Sequence, residues 1–355
     1  MRRRAFLTGS LALLAGPTFG QHEHHQGQFE RLDRPGRMDL PDLHRQHAVT
    51  ESPAPAAAVP GRWEVRAPLP IPRTEMAWAA AREGRMHLVG GYAEQRVDRP
   101  YHHVFDPAAG AWSEAEPLPR GANHVGVAAL GRRLYAIGGF VEQNRRPHPE
   151  CFVFGAEGEA WSRIRPLPRA LGAVGCIAAD GVIHAIGGAE GDLSETRRSV
   201  ATHLVYEPAE DRWSERRPIP TGRDHIGTAL AGGLIHVTGG RVDTFYTNSH
   251  FHHVYDPKED RWTPRAPIPT ARSGHGSGFY RGRVLIMGGE GSGRVYGQNE
   301  AYDPVRDAWE SLAPMLTPRH GMGAVVLGDW VHVAGGGPQM GGGVKSAIHE
   351  AFTLG

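Results

Sequence analysis

The chain has 355 residues, 40% of them hydrophobic, and is therefore long enough to bury a large core. Its 39 Lys+Arg and 38 Asp+Glu nearly cancel, so the net charge argues against non-specific nucleic-acid binding. Forty-eight glycines and 28 prolines, without a triplet period, are too many for a helical protein and favour many short strands joined by turns.

The first residues have the pattern of an export signal. The sequence Arg3-Arg4-x-Phe6-Leu7, followed by an apolar stretch to Gly16, resembles the core of a twin-arginine signal. About a dozen apolar residues are too few to cross a ~30 Å hydrocarbon core, so we expect residues 1–20 to be cleaved. An uncleaved anchor is the alternative. We therefore expect a periplasmic or secreted protein with no membrane contact after cleavage.

Residues 21–60 differ in composition from the rest of the chain. They combine histidines and prolines with almost no apolar periodicity, which is typical of a flexible linker. Adventitious binding of a metal by these histidines is the alternative, but the pattern predicts no structural metal site. The histidines are His22, His24, His25, His44 and His47.

The rest of the chain is an internal repeat of about fifty residues. Each copy has an apolar run that ends in a Gly-Gly doublet, and successive doublets lie 48, 49, 52, 49 and 47 residues apart. A tryptophan keeps the same spacing, and in five copies an aromatic residue precedes it by seven residues. The doublets are at 90–91, 138–139, 187–188, 239–240, 288–289 and 335–336, and the tryptophans are Trp63, Trp112, Trp161, Trp213, Trp262 and Trp309.

This combination of Gly-Gly, aromatic and Trp resembles the Kelch repeat, whose members fold as propellers of four-stranded blades. We therefore predict an all-β, six-bladed Kelch-type β-propeller over residues 61–355. Trp63 precedes the first doublet, and no Trp follows Phe352 in the last copy. The segment Gly61-Arg62-Trp63-Glu64-Val65 is thus expected to supply the missing strand and close the last blade.

The first strand of each blade is expected to lie nearest the propeller axis. Small residues at these positions, such as Ala79-Ala80-Ala81 and Val127-Ala128-Ala129, fit the crowding there. Twelve residues before the doublet, five copies have Gly but the first has Trp78. This side chain either fills the axial hole or forms an aromatic platform for a ligand.

The loop that leads into each first strand carries an arginine, and the segments after the doublets add more cations on the same face. Because guanidinium groups match carboxylates and phosphates, this pattern predicts an anionic ligand at an arginine-rich mouth. Pairing of each arginine with a neighbouring acid or carbonyl is the alternative. The ring consists of Arg73, Arg120, Arg169, Arg223, Arg272 and Arg319; the further cations are Arg96, Arg99, Arg145, Arg146, Arg197, Arg198, Arg241, Arg294 and Lys345.

Histidines and acids at the same level are candidate acid–base groups, although their spacing does not single out one pair. The histidines are His124, His225, His275 and His320, and the acids are Glu75, Glu142, Glu190, Asp224 and Glu290. Eight other histidines recur at fixed positions on second and third strands, where equivalent residues diverge. We interpret these as inter-blade packing and predict no metal and no cofactor.

Three functions are compatible with a Kelch resemblance. The first is a monomeric binding protein for an anionic small molecule, such as a sugar acid, or an acidic peptide. The second is a sugar-acid epimerase or mutarotase resembling the N-acetylneuraminate epimerases, in which arginines, Trp78 and a His or Glu would supply the chemistry. The third is a copper-radical oxidase, which needs a Cys crosslinked to a Tyr. Only Cys151 and Cys176 are present; the first is expected on an outer strand, and the second has no tyrosine signature beside it. Whether the protein is an enzyme stays open.

Overall fold

The computed structural model describes residues 59–76, 79–93, 97–155, 158–193, 196–243 and 247–355. Within these ranges the chain forms thirty β-strands and no helix, and hence no helix able to span a membrane. The strands form six four-stranded antiparallel sheets and three two-stranded sheets. The all-β prediction and the six-bladed architecture are therefore confirmed. The predicted signal, residues 1–20, and the linker up to residue 58 lie outside the described residues.

Each four-stranded sheet is one blade, and in the first five blades the strands follow one another outward from the axis in chain order. Blade 1 has β2 (Ala80–Arg82), β3 (Arg85–Val89), β4 (His102–Asp106) and β5 (Ala111–Glu114). Blade 2 has β6 (Gly126–Leu130), β7 (Arg133–Ile137), β10 (Cys151–Phe154) and β11 (Trp161–Ile164). Blade 3 has β12 (Gly175–Ala179), β13 (Val182–Ile186), β16 (His203–Glu207) and β17 (Arg212–Glu215).

The other blades repeat this arrangement, with the strand nearest the axis named first. Blade 4 has β18 (Gly227–Ala231), β19 (Leu234–Thr238), β20 (His252–Asp256) and β21 (Arg261–Pro264). Blade 5 has β22 (Gly276–Tyr280), β23 (Arg283–Met287), β26 (Asn299–Asp303) and β27 (Ala308–Leu312). Blade 6 has β28 (Ala324–Leu327), β29 (Trp330–Ala334), β30 (His349–Thr353) and β1 (Arg62–Val65). The two-stranded sheets are β8 (Phe140–Val141) with β9 (Arg146–Pro147), β14 (Ala189–Glu190) with β15 (Arg198–Ser199), and β24 (Glu290–Gly291) with β25 (Arg294–Val295).

Blade 6 is closed by the strand that begins the domain, as predicted. Strand β1 pairs antiparallel with β30, and Trp63 lies directly opposite Phe352. The same cross-strand aromatic pair occurs in every other blade, where both residues come from one hairpin, as for Phe105 and Trp112. The sixth tryptophan therefore completes the sixth blade, and the two ends of the domain are held in one sheet.

The first strands surround a central cavity. Each packs against the first strands of both neighbouring blades, and β28 packs against β2 to complete the circle. The enclosed cavity has a volume of about 290 Å³ and is lined mainly by small side chains such as Ala80, Ala128 and Ala178. The expectation that small residues line the axis is thus confirmed.

The Gly-Gly doublets join each blade to the next. The second glycine donates its N–H to a carbonyl in the following blade, as Gly91 does to Ala122 and Gly336 does to Arg73, at 2.9 and 2.8 Å. The first glycine has a positive φ, and a Cβ on Gly90 would lie 2.6 Å from the oxygen of Ala122. Any larger residue would therefore push the blades apart.

Aromatic rings and histidines fill the outer part of the blade interfaces. Each of the six repeat tryptophans donates its indole N–H to a backbone carbonyl in the preceding blade, at 2.7 to 2.9 Å. Four third-strand histidines pack on the aromatic pair of the next blade; His102, for example, contacts Phe154 and Trp161 with ring centroids 4.9 and 5.5 Å apart. The interpretation of these histidines as inter-blade packing is confirmed.

The repeated histidines also pair with one another inside four blades. A second-strand histidine and a third-strand histidine lie Nδ1 to Nε2 at 2.8 to 3.0 Å, and the third-strand ring bonds a backbone carbonyl through its other nitrogen. Burial is the main cause that lowers the pKa of each to about 3 or 4. The pairs are His87–His102, His184–His203, His236–His252 and His332–His349.

These pairs predict a loss of stability in mild acid. The unfolded chain binds a proton on each histidine near pH 6.5, whereas the folded chain resists protonation until about pH 3 to 4. The free energy of unfolding is therefore highest above pH 6.5 and falls as the pH is lowered, by up to about 2 kcal/mol per histidine between pH 7 and 5. Urea unfolding at both pH values measures this loss.

A matched variant is available in the chain itself, because blade 5 carries Leu285 and Asn299 at the positions of one such pair. The double substitution His332→Leu and His349→Asn copies that blade. This variant should lose about 2 to 4 kcal/mol less unfolding free energy than the wild type between pH 7 and 5, whatever its own stability at pH 7. An unchanged loss would show that the pairs do not cause the acid sensitivity.

The closure of blade 6 predicts a large effect at Trp63. This side chain is 8% exposed, contacts Phe352 and donates to the carbonyl of Ala313. Trp63→Ala should lower the free energy of unfolding by about 3 to 5 kcal/mol, and deletion of residues 61–67 should destabilise the whole domain. Val305→Ala, at a position 94% exposed, is the control. Equal urea midpoints for wild type and Trp63→Ala would refute the contribution of the closing strand.

Candidate functional site

A circle of six backbone segments lies where the chain enters the first strands. One residue from each blade has a positive φ of 49 to 64°, and in blades 2 to 6 its N–H donates to the equivalent carbonyl of the preceding blade. Five of these bonds are 2.9 to 3.2 Å long, beginning with His124 to Glu75 and ending with Gly321 to Gly274. We call these residues the axial ring: Glu75, His124, Ala173, His225, Gly274 and Gly321.

Three members of the axial ring carry side chains that can bind metals or protons. Nε2 of His124 lies 2.9 Å from Oε2 of Glu75, and the rings of His124 and His225 meet edge to face at 4.6 Å. One ligand atom from each of the three lies within 4.8 Å of the others, and all three side chains are buried. Two of the predicted acid–base histidines, from blades 2 and 4, are therefore brought together with Glu75 of blade 1.

His320 of blade 6 joins this group from the neighbouring position. Its Nε2 lies 3.1 Å from Oε1 of Glu75 and 3.2 Å from Oε2 of Glu290, and its Nδ1 bonds the carbonyl of Gly337 at 3.0 Å. Burial alone would lower the pKa of His320, but the two carboxylates outweigh it and raise this pKa to about 9. Burial would likewise raise the pKa of Glu75, but His124 and His320 hold it well below its usual range.

The two ring histidines are oriented by the residues that precede them. Nδ1 of His124 bonds Oδ1 of Asn123, and Nδ1 of His225 bonds Oδ1 of Asp224. Asn123 is fixed in turn by Oδ1 of Asp98 at 2.6 Å, and Asp224 by the hydroxyl of Ser199 at 2.5 Å. Nε2 of His124 is thereby directed at Glu75, whereas Nε2 of His225 contacts Nη2 of Arg241.

Arg241 borders the group on the side of blade 4. Its Nη2 lies 2.8 Å from Nδ1 of His225, and its guanidinium also contacts Asp224 and Glu290, each at 3.4 Å. Burial and this guanidinium lower the pKa of His225 to about 3, so the imidazole is neutral at pH 7. The pKa of Asp224 is also lowered, because His225 and Arg241 outweigh the effect of its burial.

A small pocket opens beside His225. Its volume is about 50 Å³, and it is lined by side chains from blades 2, 3 and 4. Arg197 stacks over Phe140 at 4.0 Å from the ring centroid, and Arg198 and Arg241 lie on the other walls. We call it the mouth pocket. Three arginines named by the sequence as further cations of the mouth thus meet in one place.

Comparison with known proteins establishes the family. The model of the KLHDC2/KLHL20/DRC7 Kelch-repeats domain matches residues 124–336. The chain belongs to the Kelch-repeat family. The solved structure of YjhT is similar over 81% of this chain and 96% of that chain, with 14% sequence identity and a TM-score of 0.69. At this identity the likeness shows the Kelch propeller fold alone. A search of curated proteins finds no match.

The Kelch propeller buries most of the predicted arginine ring, which is a correction to the sequence analysis. Arg73, Arg223, Arg272 and Arg319 are 0% exposed. Arg73, for example, donates to the carbonyls of Gly90 and Tyr101, and Arg272 forms a buried ion pair with Glu300. These guanidinium groups hold the loops within their blades, so the alternative of local pairing applies to them and they do not line the mouth.

The remaining two arginines of the predicted ring are out of register with the other four. The residues of blades 2 and 3 that accept the Gly-Gly bond, as Arg73 does, are Ala122 and Leu171. Arg120 and Arg169 lie two residues earlier in the chain; Arg120 pairs with Glu150 at 2.7 Å, and Arg169 lies 3.9 Å from Glu215.

His275 and the two cysteines are not part of this group. His275 is buried and bonds the hydroxyl of Thr238 at 3.1 Å. Trp78 lies outside the described residues. Cys151 and Cys176 are free and buried, and burial raises the pKa of Cys151 to about 12.

Sequence reasoning missed the supporting residues of the site. Asn123, Asp98 and Ser199 orient the ring histidines, but none of them was singled out by the repeat. A signal was present for one of them, because Asn123 and Asp224 both immediately precede a predicted acid–base histidine. Asp98 and Ser199 lie between the second and third strands of their blades, in segments whose conformation the repeat does not determine.

Proposed function

We propose that this Kelch propeller binds a small molecule that carries a carboxylate, and that the carboxylate enters the mouth pocket. The observation that supports this is the meeting of Arg197, Arg198 and Arg241 over the apolar faces of Phe140 and Ala189. Guanidinium groups offer two parallel N–H donors to a carboxylate, and an apolar floor strengthens such bonds by excluding water.

The polar groups of the pocket favour one orientation of the ligand. Asp224 is engaged by Ser199 and His225, and Asp243 accepts from the backbone N–H of Ser199 at 2.9 Å. Arg198 is 65% exposed and, within the described part of the chain, pairs with Glu190 at the rim. Arg197 already donates to Gly191, Asn144 and Arg145. The ligand's carboxylate is therefore expected at Arg198, with its hydroxyl groups toward the aspartates.

The size of the pocket limits what it holds. A volume of about 50 Å³ admits a carboxylate or a similar polar head group, while the rest of the ligand lies in the open mouth. A sugar acid meets this description, because its ring is polar and tolerates contact with water. An acidic peptide would offer several carboxylates to a site that accommodates one.

A second candidate function is favoured by His225, which lines the pocket directly beside the arginines. Ring opening and closure of a sugar acid needs a proton acceptor next to the bound sugar. An imidazole at that position fits the epimerase or mutarotase alternative. Binding and catalysis would then share the same carboxylate anchor, so the same variants test both.

Arg198→Ala should weaken the binding of a sugar acid by about 10-fold, which corresponds to the loss of one exposed charge-assisted hydrogen bond. Titration calorimetry with N-acetylneuraminate and galacturonate measures this, with galactose as the neutral probe. Raising the salt concentration should weaken binding of the acids alone. Arg169→Ala is the matched control, because Arg169 is also exposed, also faces one glutamate, and lies outside the pocket.

Equal affinities for galacturonate and galactose, or equal losses in Arg198→Ala and Arg169→Ala, would contradict the proposed site. Tighter binding of an Asp/Glu-rich peptide than of either sugar acid would contradict a small-molecule ligand. Proton NMR of anomer exchange in N-acetylneuraminate, with and without the protein, decides the second candidate, because a binding protein leaves the exchange rate unchanged.

We also propose that residues 1–20 direct export by the twin-arginine route, on the sequence Arg3-Arg4-x-Phe6-Leu7. The double substitution Arg3→Lys and Arg4→Lys should retain the protein in the cytoplasm of an expressing bacterium. Fractionation followed by immunoblotting measures the distribution. A variant exported as efficiently as the wild type would refute this route.

A further inference from the structure

We propose that Glu75, His124 and His225 bind a divalent transition-metal ion on the propeller axis. Two imidazoles and one carboxylate from three different blades each place one ligand atom within 4.8 Å of the other two. This set is one that zinc and iron(II) accept, with further coordination positions left open for water or a ligand. The proposal does not depend on which molecule enters the mouth pocket.

The contacts behind the two histidines are those of metal ligands. A ligating histidine usually donates its second ring N–H to a carboxylate or carbonyl, which fixes the tautomer and the direction of the ligating nitrogen. In this propeller, Oδ1 of Asn123 and Oδ1 of Asp224 each bond Nδ1 of the following histidine. The amide of Asn123 is unambiguous, because its Nδ2 donates to Asp98 and to the carbonyl of Phe140.

The backbone gives a second, independent indication. Positive φ angles strain most residue types other than glycine, asparagine and aspartate, at a cost of about 1 kcal/mol or more. Blades 5 and 6 carry Gly274 and Gly321 at their axial-ring positions, which shows that glycine suits the ring. Glu75, His124 and His225 occupy the same conformation with φ of 51, 49 and 55°. Ala173 shares this conformation with a φ of 51°, so the strain belongs to the ring position; what indicates a function is that three strained positions carry ligating side chains where glycine is tolerated.

The charges around the site can accommodate a cation. Glu75, Glu290 and Asp224 supply three carboxylates to the immediate surroundings, against the guanidinium of Arg241 and the ring of His320. Arg241 contacts Nε2 of His225 and has to leave this nitrogen for a metal to bind, but it can keep its contacts with Asp224 and Glu290. The metal competes with Arg241 for His225, and this sets how tightly it binds.

The histidines of residues 21–60 would also bind zinc, so they must be removed from the measurement. The test protein is the tag-free full-length chain with these five histidines changed to alanine, which we call the leader-substituted chain. They are His22, His24, His25, His44 and His47. After exposure to Zn²⁺ and exhaustive dialysis, mass spectrometry of the metal content should find about one zinc per chain.

In this background Glu75→Gln, His124→Gln and His225→Gln should each reduce the bound zinc to below about a tenth of an equivalent. Asn123→Ala should weaken zinc binding by about 10- to 100-fold, because it frees Nδ1 of His124. His275→Gln is the matched control: it removes a buried histidine near the axis that lies outside the group, so it should keep the full zinc content. Circular dichroism checks that each variant is folded.

A leader-substituted chain that retains no zinc would overturn the proposal, as would folded ligand variants that retain all of it. Where a ligand variant fails to fold, Co²⁺ titration of the leader-substituted chain decides instead. Absorption bands that intensify and saturate near one equivalent support nitrogen ligation in the propeller, and a spectrum that stays that of aqueous Co²⁺ refutes it. Sugar-acid binding that persists after a chelator has removed the metal would show that the mouth pocket binds its ligand without the metal site.

Discussion

The close approach of each blade to the next at the Gly-Gly doublets is the constraint on which the rest of the structure depends. The second glycine bonds a carbonyl of the following blade, and a Cβ on the first would collide with that carbonyl. Because Gly336 makes this bond to Arg73, the circle closes without a seam. The bond places the segment entering each first strand at the same distance from the axis, and this brings the axial ring together.

Symmetry of the backbone combined with asymmetry of the side chains produces the site. Six equivalent positions meet on the axis, yet only Glu75, His124 and His225 carry groups with acid–base or ligand chemistry, while Ala173 and two glycines leave room beside them. The mouth pocket opens on the same side, beside blades 2, 3 and 4. A ligand that enters there is adjacent to the axial groups without having to pass through the central cavity.

The sequence predicted the architecture well because the repeated residues are the ones that make the contacts between neighbouring blades. The doublets and the tryptophans recur once in each blade, and Trp63 pairs with Phe352 to close the last blade as predicted. The prediction that the arginine ring lines the mouth was wrong. Arg120 lies two residues before the position in its blade that corresponds to Arg73. Whether an arginine is buried depends on its contacts with carbonyls such as that of Gly90, and the spacing of residues in the sequence does not reveal these contacts. The positive φ of His124 and its bond to Asn123 also depend on the folded loop.

Histidine illustrates how distance from the axis decides the role of a residue in this fold. On the second and third strands, histidines pair with one another, pack on the aromatic residues of the next blade, and stay neutral because burial lowers their pKa. On the axial ring, His124 and His225 instead converge with Glu75, since equivalent positions approach one another only there. The same residue type therefore stabilises the outer interfaces and builds the candidate site.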